Sequence, residues 1–247
     1  MNEIIFPEDF EARTEDAVRF FWSTRDGQIS RQLAGQSRDQ GNRGAVTGGK
    51  QLDGFVDLIR HTLLLNGVPE KSIFCEAGLE IPGFYRPSKK WDLLVMEEGR
   101  LAAAVEFKSQ VGPSFGNNFN NRTEEAMGSA LDVWTAYREG VYGLQEAPWL
   151  GYMMVLEDCP KSTAPVSARS PHFEVMPEFE RSSYMKRYEI FCRKLVLERQ
   201  YSAACFVTSR RDGEPGNHSC PVPELSVRSF VLSLLRAVLA RGGRQES

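Results

Sequence analysis

Several marks of specialised protein classes are missing from this sequence. No apolar run approaches the roughly 18 residues of a membrane-spanning helix, and no internal repeat is visible. The acidic N-terminal stretch MNEIIFPEDFE has no apolar core of a signal peptide. The five cysteines are odd in number and form no CxxC pair, so they predict neither a zinc ribbon nor a disulfide framework. We therefore expect reduced thiols in a cytoplasmic protein that has no membrane partner.

An excess of charge of either sign is also missing. The chain has 30 lysines and arginines against 33 aspartates and glutamates, a formal net charge of -3. This balance neither indicates nor excludes nucleic-acid binding, because the local field matters more than the total charge. The 247 residues, 41% of them hydrophobic and 26% charged, suit one large domain with a sizeable core.

Hydrophobic periodicity and turn residues predict alternating helices and strands. The predicted elements are a helix at 7–23, a helix at 52–66, a strand at 72–81, a strand pair at 91–109, a helix from 123 onward, a strand at 149–157, a helix at 180–199, a strand at 201–210 and a helix at 225–240. This alternation predicts the α/β fold class, with a mixed central β-sheet flanked by helices.

The strand pair at 91–109, WDLLVMEEGRLAAAVEFKS, sets charged residues in an apolar background. Glu106 and Lys108 are two residues apart on its second strand, so their side chains project from the same face. An acid and a base are costly to bury in such a run unless they are paired or bound to a metal. Asp92, on the first strand, is the nearest acid that could join them.

The turn decides whether Asp92 shares that face. A two-residue loop would turn Asp92 to the other face of the ribbon. A three-residue loop at 97–99 would place it opposite Ala104, diagonal to Glu106, and such loops favour a glycine at their last position. Because Gly99 occupies that position, we predict the three-residue loop.

Two carboxylates at this spacing would share a divalent ion. Hard oxygen ligands with open positions suit Mg²⁺, which keeps waters and takes phosphate oxygens as its remaining ligands. Lys108 would then orient or deprotonate a water and offset the charge of an attacked phosphate. Asp92, Glu106 and Lys108 resemble the three positions of the PD-(D/E)xK nuclease superfamily. The residues alone leave a solvated edge strand as the alternative.

A third acidic ligand comes from the helix before the sheet in some nucleases of that superfamily. The predicted helix at 52–66 and the strand at 72–81 carry four candidates, which the sequence does not separate: Asp53, Asp57, Glu76 and Glu80. For the two acids on the helix, the alternative is a solvated helix face.

Basic residues precede the predicted site in two places. Arg86, Lys89 and Lys90 come shortly before Asp92, where a scissile phosphate would be held. The stretch 23–50 carries five basic against two acidic residues. It is either a mobile basic arm that closes on a phosphate backbone or a plain surface loop. The candidate DNA contacts in these two places are Lys89, Lys90, Arg43 and Lys50.

Four asparagines and one arginine lie at 117–122. Asparagine can hydrogen-bond adenine through two atoms, and arginine can do the same with guanine. The alternative is a turn-rich loop, because asparagine and glycine favour turns. The candidate base-reading residues are Asn117, Asn118, Asn120, Asn121 and Arg122. We expect the next helix to start at Thr123. Its predicted buried stripe is Met127, Leu131, Trp134 and Tyr137.

The run EFKSQVGPSFGNNFNNRTEEA resembles the XhoI-type family of type II restriction endonucleases, in which an ExK strand leads into a GPSFGNNxNNR-like segment. The resemblance implies Mg²⁺-dependent cleavage of double-stranded DNA at the palindrome CTCGAG, after the first C, with 5′ overhangs and 5′-phosphate ends. It also implies a homodimer and a cognate DNA methyltransferase as functional partner. Asp92 and Glu106 match the metal-binding catalytic acids, and Lys108 matches the catalytic lysine. Trp91 stands where the superfamily name has proline.

The resemblance also suggests how the chain is organised. We expect a single nuclease domain at 1–247, with an N-terminal helix and basic arm at 1–50, a restriction-endonuclease-like PD-(D/E)xK core at 51–210, and a C-terminal loop and helix at 211–247. Two other functions stay open. One is a structure-specific repair or junction nuclease, which needs fewer base-reading groups. The other is a non-catalytic DNA-binding protein with a decayed nuclease site.

Overall fold

A computed structural model describes residues 3–35 and 50–242 of the chain. The helices are α1 Phe10–Gly35, α2 Asp53–Leu65, α3 Phe115–Arg138, α4 Pro160–Thr163, α5 Tyr184–Leu197 and α6 Val227–Gly242. The strands are β1 Ile73–Phe74, β2 Glu80–Ile81, β3 Lys89–Lys90, β4 Leu93–Glu97, β5 Arg100–Gln110, β6 Trp149–Glu157 and β7 Ala203–Ser209. No helix in the two described stretches is long and apolar enough to cross a membrane.

The central sheet has five strands in the order β1-β4-β5-β6-β7. β1, β4 and β5 are antiparallel neighbours, whereas β5, β6 and β7 run parallel. The parallel strands are covered on both faces, which explains near-continuous apolar runs such as WLGYMMVLE of β6. β2 and β3 form a separate two-stranded sheet.

Helices cover both faces of the central sheet. On one face, α1, α2 and α6 pack through residues such as Phe21, Phe55 and Leu234. On the other face, α3 and α5 pack through residues such as Ala130 and Phe191. The predicted α/β class, with a mixed central sheet flanked by helices, is therefore confirmed.

The loop between β4 and β5 differs from the prediction. Glu97 pairs with Arg100, so the loop has two residues, Glu98 and Gly99. Both have positive φ, 49° and 78°, which suits a tight hairpin because this backbone twist matches that of the flanking strands. The predicted three-residue loop was wrong, because a glycine at position 99 serves both loop lengths.

A β-bulge follows the shorter loop. The pairing of β4 with β5 shifts by one residue within the ribbon, and Leu93 consequently pairs with Val105. The regular register ends there, because the Asp92 N–H donates to the carbonyl of the same Val105 at 3.2 Å. The predicted pairing of Asp92 with Ala104 was therefore wrong, and Asp92 lies instead at the end of the paired ribbon, where its carboxylate accepts from the Phe107 N–H.

Helix α3 begins earlier and faces differently than predicted. It starts at Phe115, so the asparagine segment forms its first turns rather than a loop before it. Met127 and Leu131 are 50% and 51% exposed, whereas Ala126 and Ala130 are buried in the core. The prediction was wrong for Met127 and Leu131, because the small alanines pack into the core at these turns, whereas Trp134, from the same predicted stripe, is partly buried against the core.

The predicted strand at 72–81 is in fact two short strands in different sheets. β1 pairs with β4, whereas β2 pairs with β3. Gly78 lies between them with a φ of 68°, a left-handed conformation that interrupts an extended run. The predicted strand at 149–157 coincides with β6, and the one at 201–210 contains β7.

Candidate active site

The second half of β5 has a free edge. Pairing with β4 stops where Leu93 meets Val105, so among the described residues the backbone from 106 to 110 pairs only with β6. A cleft of about 1030 Å³ opens at this edge. Its walls come from α1, α2, α3 and the segment between β1 and β4. Lys108 at this end of β5 is thus reachable from outside, whereas Glu106 is buried and does not line the cleft.

Glu106 is a buried carboxylate with three partners. Its side chain is 2% exposed. Its Oε1 atom accepts from Lys89 Nζ at 3.1 Å and from Lys108 Nζ at 3.0 Å, and Oε2 accepts from the Tyr201 hydroxyl at 3.1 Å. Burial alone would raise the pKa of Glu106, but the two lysines hold this pKa below its usual value. The site therefore keeps an ionised acid in its interior.

Lys108 connects this acid to helix α3. Burial would lower the pKa of Lys108, but the Glu106 carboxylate outweighs it and raises that pKa. Nζ also lies 3.6 Å from Glu125 Oε2, which accepts from Arg122 Nη1 at 2.7 Å. A chain of alternating charges thus runs from β5 to the asparagine-bearing turns of α3.

Asp92 lies at the mouth of the site and lines the cleft. Its Oδ2 atom accepts from the Phe107 backbone N–H at 2.8 Å, and no other hydrogen bond reaches this carboxylate from the described part of the chain. Burial is the main cause of its raised pKa, which the Phe107 N–H opposes. One carboxylate oxygen is therefore fixed and the other is available to a ligand.

The structure separates the four candidates for a third acid. Asp53 and Glu76 line the cleft, whereas Asp57 and Glu80 do not. Burial is the main cause of the raised pKa of Asp53, and the charge of Asp92 contributes to it. Asp53, at the start of α2, is thus near enough to Asp92 for the two charges to interact.

The donor set suits a hard divalent cation, although the side chains are not gathered into a finished metal site. Within residues 3–35 and 50–242, no group of three or more His, Cys, Asp or Glu side chains is arranged to hold a metal ion. Asp92 offers a carboxylate oxygen without a protein partner, and the Lys89 ammonium group already occupies a cation position beside Glu106. Carboxylate oxygens around an existing cation position fit Mg²⁺.

The predicted DNA contacts fall into two groups. Those that line the cleft are Lys50, Lys90, Asn118 and Arg122. Those exposed elsewhere on α3 are Asn117, Asn120 and Asn121. Lys89 is bonded to Glu106 instead of facing the open cleft, and Arg43 lies outside the described residues. Their roles as DNA contacts stay predictions.

Four buried polar atoms in the cleft have no hydrogen-bond partner among the described residues. They are Arg25 Nε, Gln51 Oε1, Trp91 Nε1 and Arg122 Nε. An unpaired buried group costs about 1–3 kcal/mol, so a ligand or a water that reached these atoms would be bound favourably. Three of the four are donors, which favours an anionic ligand.

Sequence reasoning missed several of these residues. Arg25 was counted only in the basic arm, and nothing in the local pattern marks Gln51, Trp91 or Tyr201 as part of a site. Tyr201 reaches Glu106 from the segment before β7, which a reading of adjacent residues does not connect to β5.

Comparisons with known proteins agree with this geometry. The family Restriction endonuclease XhoI matches residues 31–220. The type II restriction enzyme BstVI of Geobacillus stearothermophilus is 50% identical over 216 residues, which cover 85% of this chain and 96% of that enzyme. The type II restriction enzyme XhoI of Xanthomonas vasicola is 49% identical over 73% of each chain. The type II restriction enzyme AbrI of Azospirillum brasilense is 47% identical over 67% of this chain and 74% of its own. No solved structure matches the chain. With a family match over most of its length and relatives at about half identity, this chain belongs to the XhoI family of type II restriction endonucleases.

Proposed function

We propose that this enzyme cleaves both strands of double-stranded DNA at the palindrome CTCGAG in a Mg²⁺-dependent reaction, after the first C, leaving 5′ overhangs with 5′-phosphate ends. The recognition sequence rests on the resemblance of the run EFKSQVGPSFGNNFNNRTEEA to the XhoI-type family. The observation that carries the chemistry is the convergence of Asp92, Glu106 and Lys108 at the free edge of β5, beside an open cleft.

Mg²⁺ is the cofactor that the donor set supports. Type II restriction endonucleases in general need a divalent metal, and carboxylate oxygens are the ligands that Mg²⁺ prefers. Asp92 and Glu106 would hold the ion, with Asp53 as the third acid from α2. A bound Mg²⁺ would polarise the scissile phosphate and make a water more acidic.

Lys108 would orient the attacking water and offset the negative charge of the phosphate. Its ammonium group is held 3.0 Å from Glu106 Oε1, so the group is in place before DNA arrives. Tyr201 binds the other oxygen of Glu106 and keeps the carboxylate in one orientation. In-line attack on phosphorus then breaks the bond to the 3′ oxygen, leaving a 3′-hydroxyl and a 5′-phosphate.

The cleft would hold the DNA through its unpaired donors and cations. Arg25, Lys50 and Lys90 line it and would contact backbone phosphates. Asn118 and Arg122 enter it from the first turns of α3 and carry the groups that read adenine and guanine. The further proposed contacts are Lys89, Asn117, Asn120, Asn121 and Arg43.

A homodimer follows from the palindrome, which presents two equivalent sites to one two-fold assembly. The exposed face of α3 supports this arrangement. Met127 and Leu131 are half exposed on consecutive turns. A side chain at Gly128 would meet no atom within 4 Å, although a glycine inside a helix costs about 1 kcal/mol. Large apolar residues around a glycine favour close approach of a second helix.

Charge along this face is self-complementary. Glu124 and Arg138 are exposed at opposite ends of the stripe, seven residues to either side of Leu131. An antiparallel crossing of two copies centred on Leu131 would bring Glu124 of each copy beside Arg138 of the other. We therefore place the proposed dimer contact on α3, whose first turns also carry the candidate base readers.

A cognate DNA methyltransferase completes the proposal, because an enzyme that cuts CTCGAG needs its host's own copies of that sequence to be modified. The cytoplasmic location predicted from the cysteines also stays a prediction.

A digest of a plasmid of known sequence, with and without Mg²⁺, tests the proposed function. We expect discrete fragments only with Mg²⁺, and sequencing should find 5′-phosphorylated ends that begin TCGAG. Glu106→Ala protein, purified in parallel, should give no fragments and so exclude a contaminating nuclease. A smear, cleavage restricted to branched DNA, or fragments without a divalent metal would contradict the proposal.

A further inference from the structure

Glu106 binds two cationic side chains through one oxygen. Two ammonium groups, Lys89 Nζ and Lys108 Nζ, lie 3.1 Å and 3.0 Å from the same oxygen, Oε1. One of them suffices to balance one carboxylate. The second is costly to hold in a mostly buried position unless it has a task, because two like charges face each other across a single atom.

The two lysines are not equivalent. Lys108 is also 3.6 Å from Glu125, so it has a second acidic partner on α3. Lys89 forms no ion pair other than the one with Glu106 among the described residues. Its ammonium group lies over the Trp91 ring, 4.4 Å from the centroid, in a side chain that is 12% exposed. Lys89 is therefore the lysine that can leave while Glu106 stays paired.

Lys89 holds a cation position on one of the two proposed metal ligands. It contacts Glu106 Oε1 directly, and Asp92, the other proposed ligand, follows three residues later in the chain. We propose that Lys89 is a positioning residue that substitutes for the divalent metal: it binds and orients the Glu106 carboxylate in the metal-free enzyme, and a divalent ion must displace it. This inference rests on the proposed function in one respect, the binding of metal by Asp92 and Glu106.

Displacement by metal couples two binding events. Displacement from Glu106 would release the Lys89 ammonium group, which a DNA phosphate would then attract. A DNA phosphate that attracts Lys89 conversely frees Glu106 for metal. Metal-free enzyme without DNA would thus bind divalent ions weakly, and DNA would raise that affinity by the same factor by which metal raises affinity for DNA.

Binding of Mn²⁺ to the protein without DNA tests the inference, with electron paramagnetic resonance of free Mn²⁺ as the readout. Removing a unit charge next to a ligand oxygen relieves a repulsion several times thermal energy, so Lys89→Met should bind Mn²⁺ at least about tenfold more tightly than wild type. Lys89→Gln should do the same, which covers the case that the methionine variant does not fold. Lys89→Arg keeps the charge and should not tighten binding.

Lys161→Met is the matched control. It removes the same charge from an exposed residue on α4, away from the cleft, and its Mn²⁺ affinity should stay within about twofold of wild type, since solvent screens exposed charges. Unchanged or weaker binding in both neutral Lys89 variants, or equal tightening by Lys161→Met, would overturn the inference. Glu106→Gln separates this failure from a failure of the proposed function. If that variant loses Mn²⁺ while Lys89→Met stays like wild type, only the role of Lys89 is wrong. If Glu106→Gln binds Mn²⁺ like wild type, the proposed metal site itself is wrong.

Discussion

Replacing Lys108 with alanine isolates the contribution of one ammonium group to cleavage. Lys108 Nζ lies 3.0 Å from Glu106 Oε1, and Lys89 Nζ lies 3.1 Å from the same atom. Because Lys89 still balances the Glu106 charge after the substitution, the buried carboxylate keeps a partner. We therefore expect the fold and the affinity for DNA to survive, and the loss to fall on the rate.

The size of this loss follows from the contact that disappears. A hydrogen bond to a charged group contributes about 1.5–3 kcal/mol, and about 1.36 kcal/mol corresponds to a factor of ten in rate. The upper value, about 150-fold, applies here because Lys108 would also offset the phosphate charge. We expect the single-turnover rate of Lys108→Ala to fall by at least about 100-fold.

The assay is single-turnover cleavage of a fluorescent CTCGAG duplex at saturating enzyme, with affinity measured by anisotropy in metal-free buffer. Lys161→Ala is the matched control, because Lys161 is exposed on α4, and it should cleave at the wild-type rate. If Lys108→Ala binds the duplex normally and cleaves it within about threefold of wild type, Lys108 does not orient the water.

Three other substitutions test separate parts of the molecule. Asp132 accepts hydrogen bonds from two backbone N–H groups and from Arg86, so Asp132→Ala should lower the free energy of unfolding in urea by about 1–3 kcal/mol. Burial would raise the pKa of Asp132, but these partners lower it. The difference in unfolding free energy between wild type and the variant should therefore be complete above about pH 4 and shrink as the pH falls through the lowered pKa. A difference that persists at lower pH would contradict this. Arg122→Ala should reduce discrimination against altered sites by about 1–3 kcal/mol in anisotropy titrations, and unchanged discrimination would remove Arg122 from the base readers. Leu131→Asp should convert dimer to monomer in sedimentation velocity with a cognate duplex in metal-free buffer. Leu197→Asp, the control, changes a side chain that is 75% exposed on α5 and should leave the dimer intact. Dissociation by both substitutions or by neither would contradict the α3 contact.

The elements predicted well are those whose burial is uniform. β6 was predicted within its observed bounds because a parallel central strand is apolar on both faces and needs no choice of face. Helix α3 was predicted poorly because its sequence offers two apolar stripes. Met127 and Leu131 form the more hydrophobic stripe, but Ala126 and Ala130 are the residues that pack into the core, because their small side chains allow closer packing.

The candidate site divides in the same way. The shared face of Glu106 and Lys108 follows from their two-residue spacing alone, and the contact between Lys108 Nζ and Glu106 Oε1 confirms it. The position of Asp92 depends on the length of a loop and on a bulge, and the sequence revealed neither. Lys89 was predicted to contact DNA, yet its nearest acid is Glu106, 17 residues further along the chain.

The sequence by itself determined which strand carries the acid and the lysine, the class of fold around them, and the family likeness of the run that follows. These properties are local, since the pleat of a strand and the apolar period of its neighbours are set by consecutive residues. The tertiary structure alone decided that Asp92 binds the Phe107 N–H, that Tyr201 and Lys89 hold the Glu106 carboxylate, and that Asp53 rather than Asp57 lines the cleft. Such contacts join residues far apart in the chain, and only the pairing of strands and the packing of helices on the sheet bring them together.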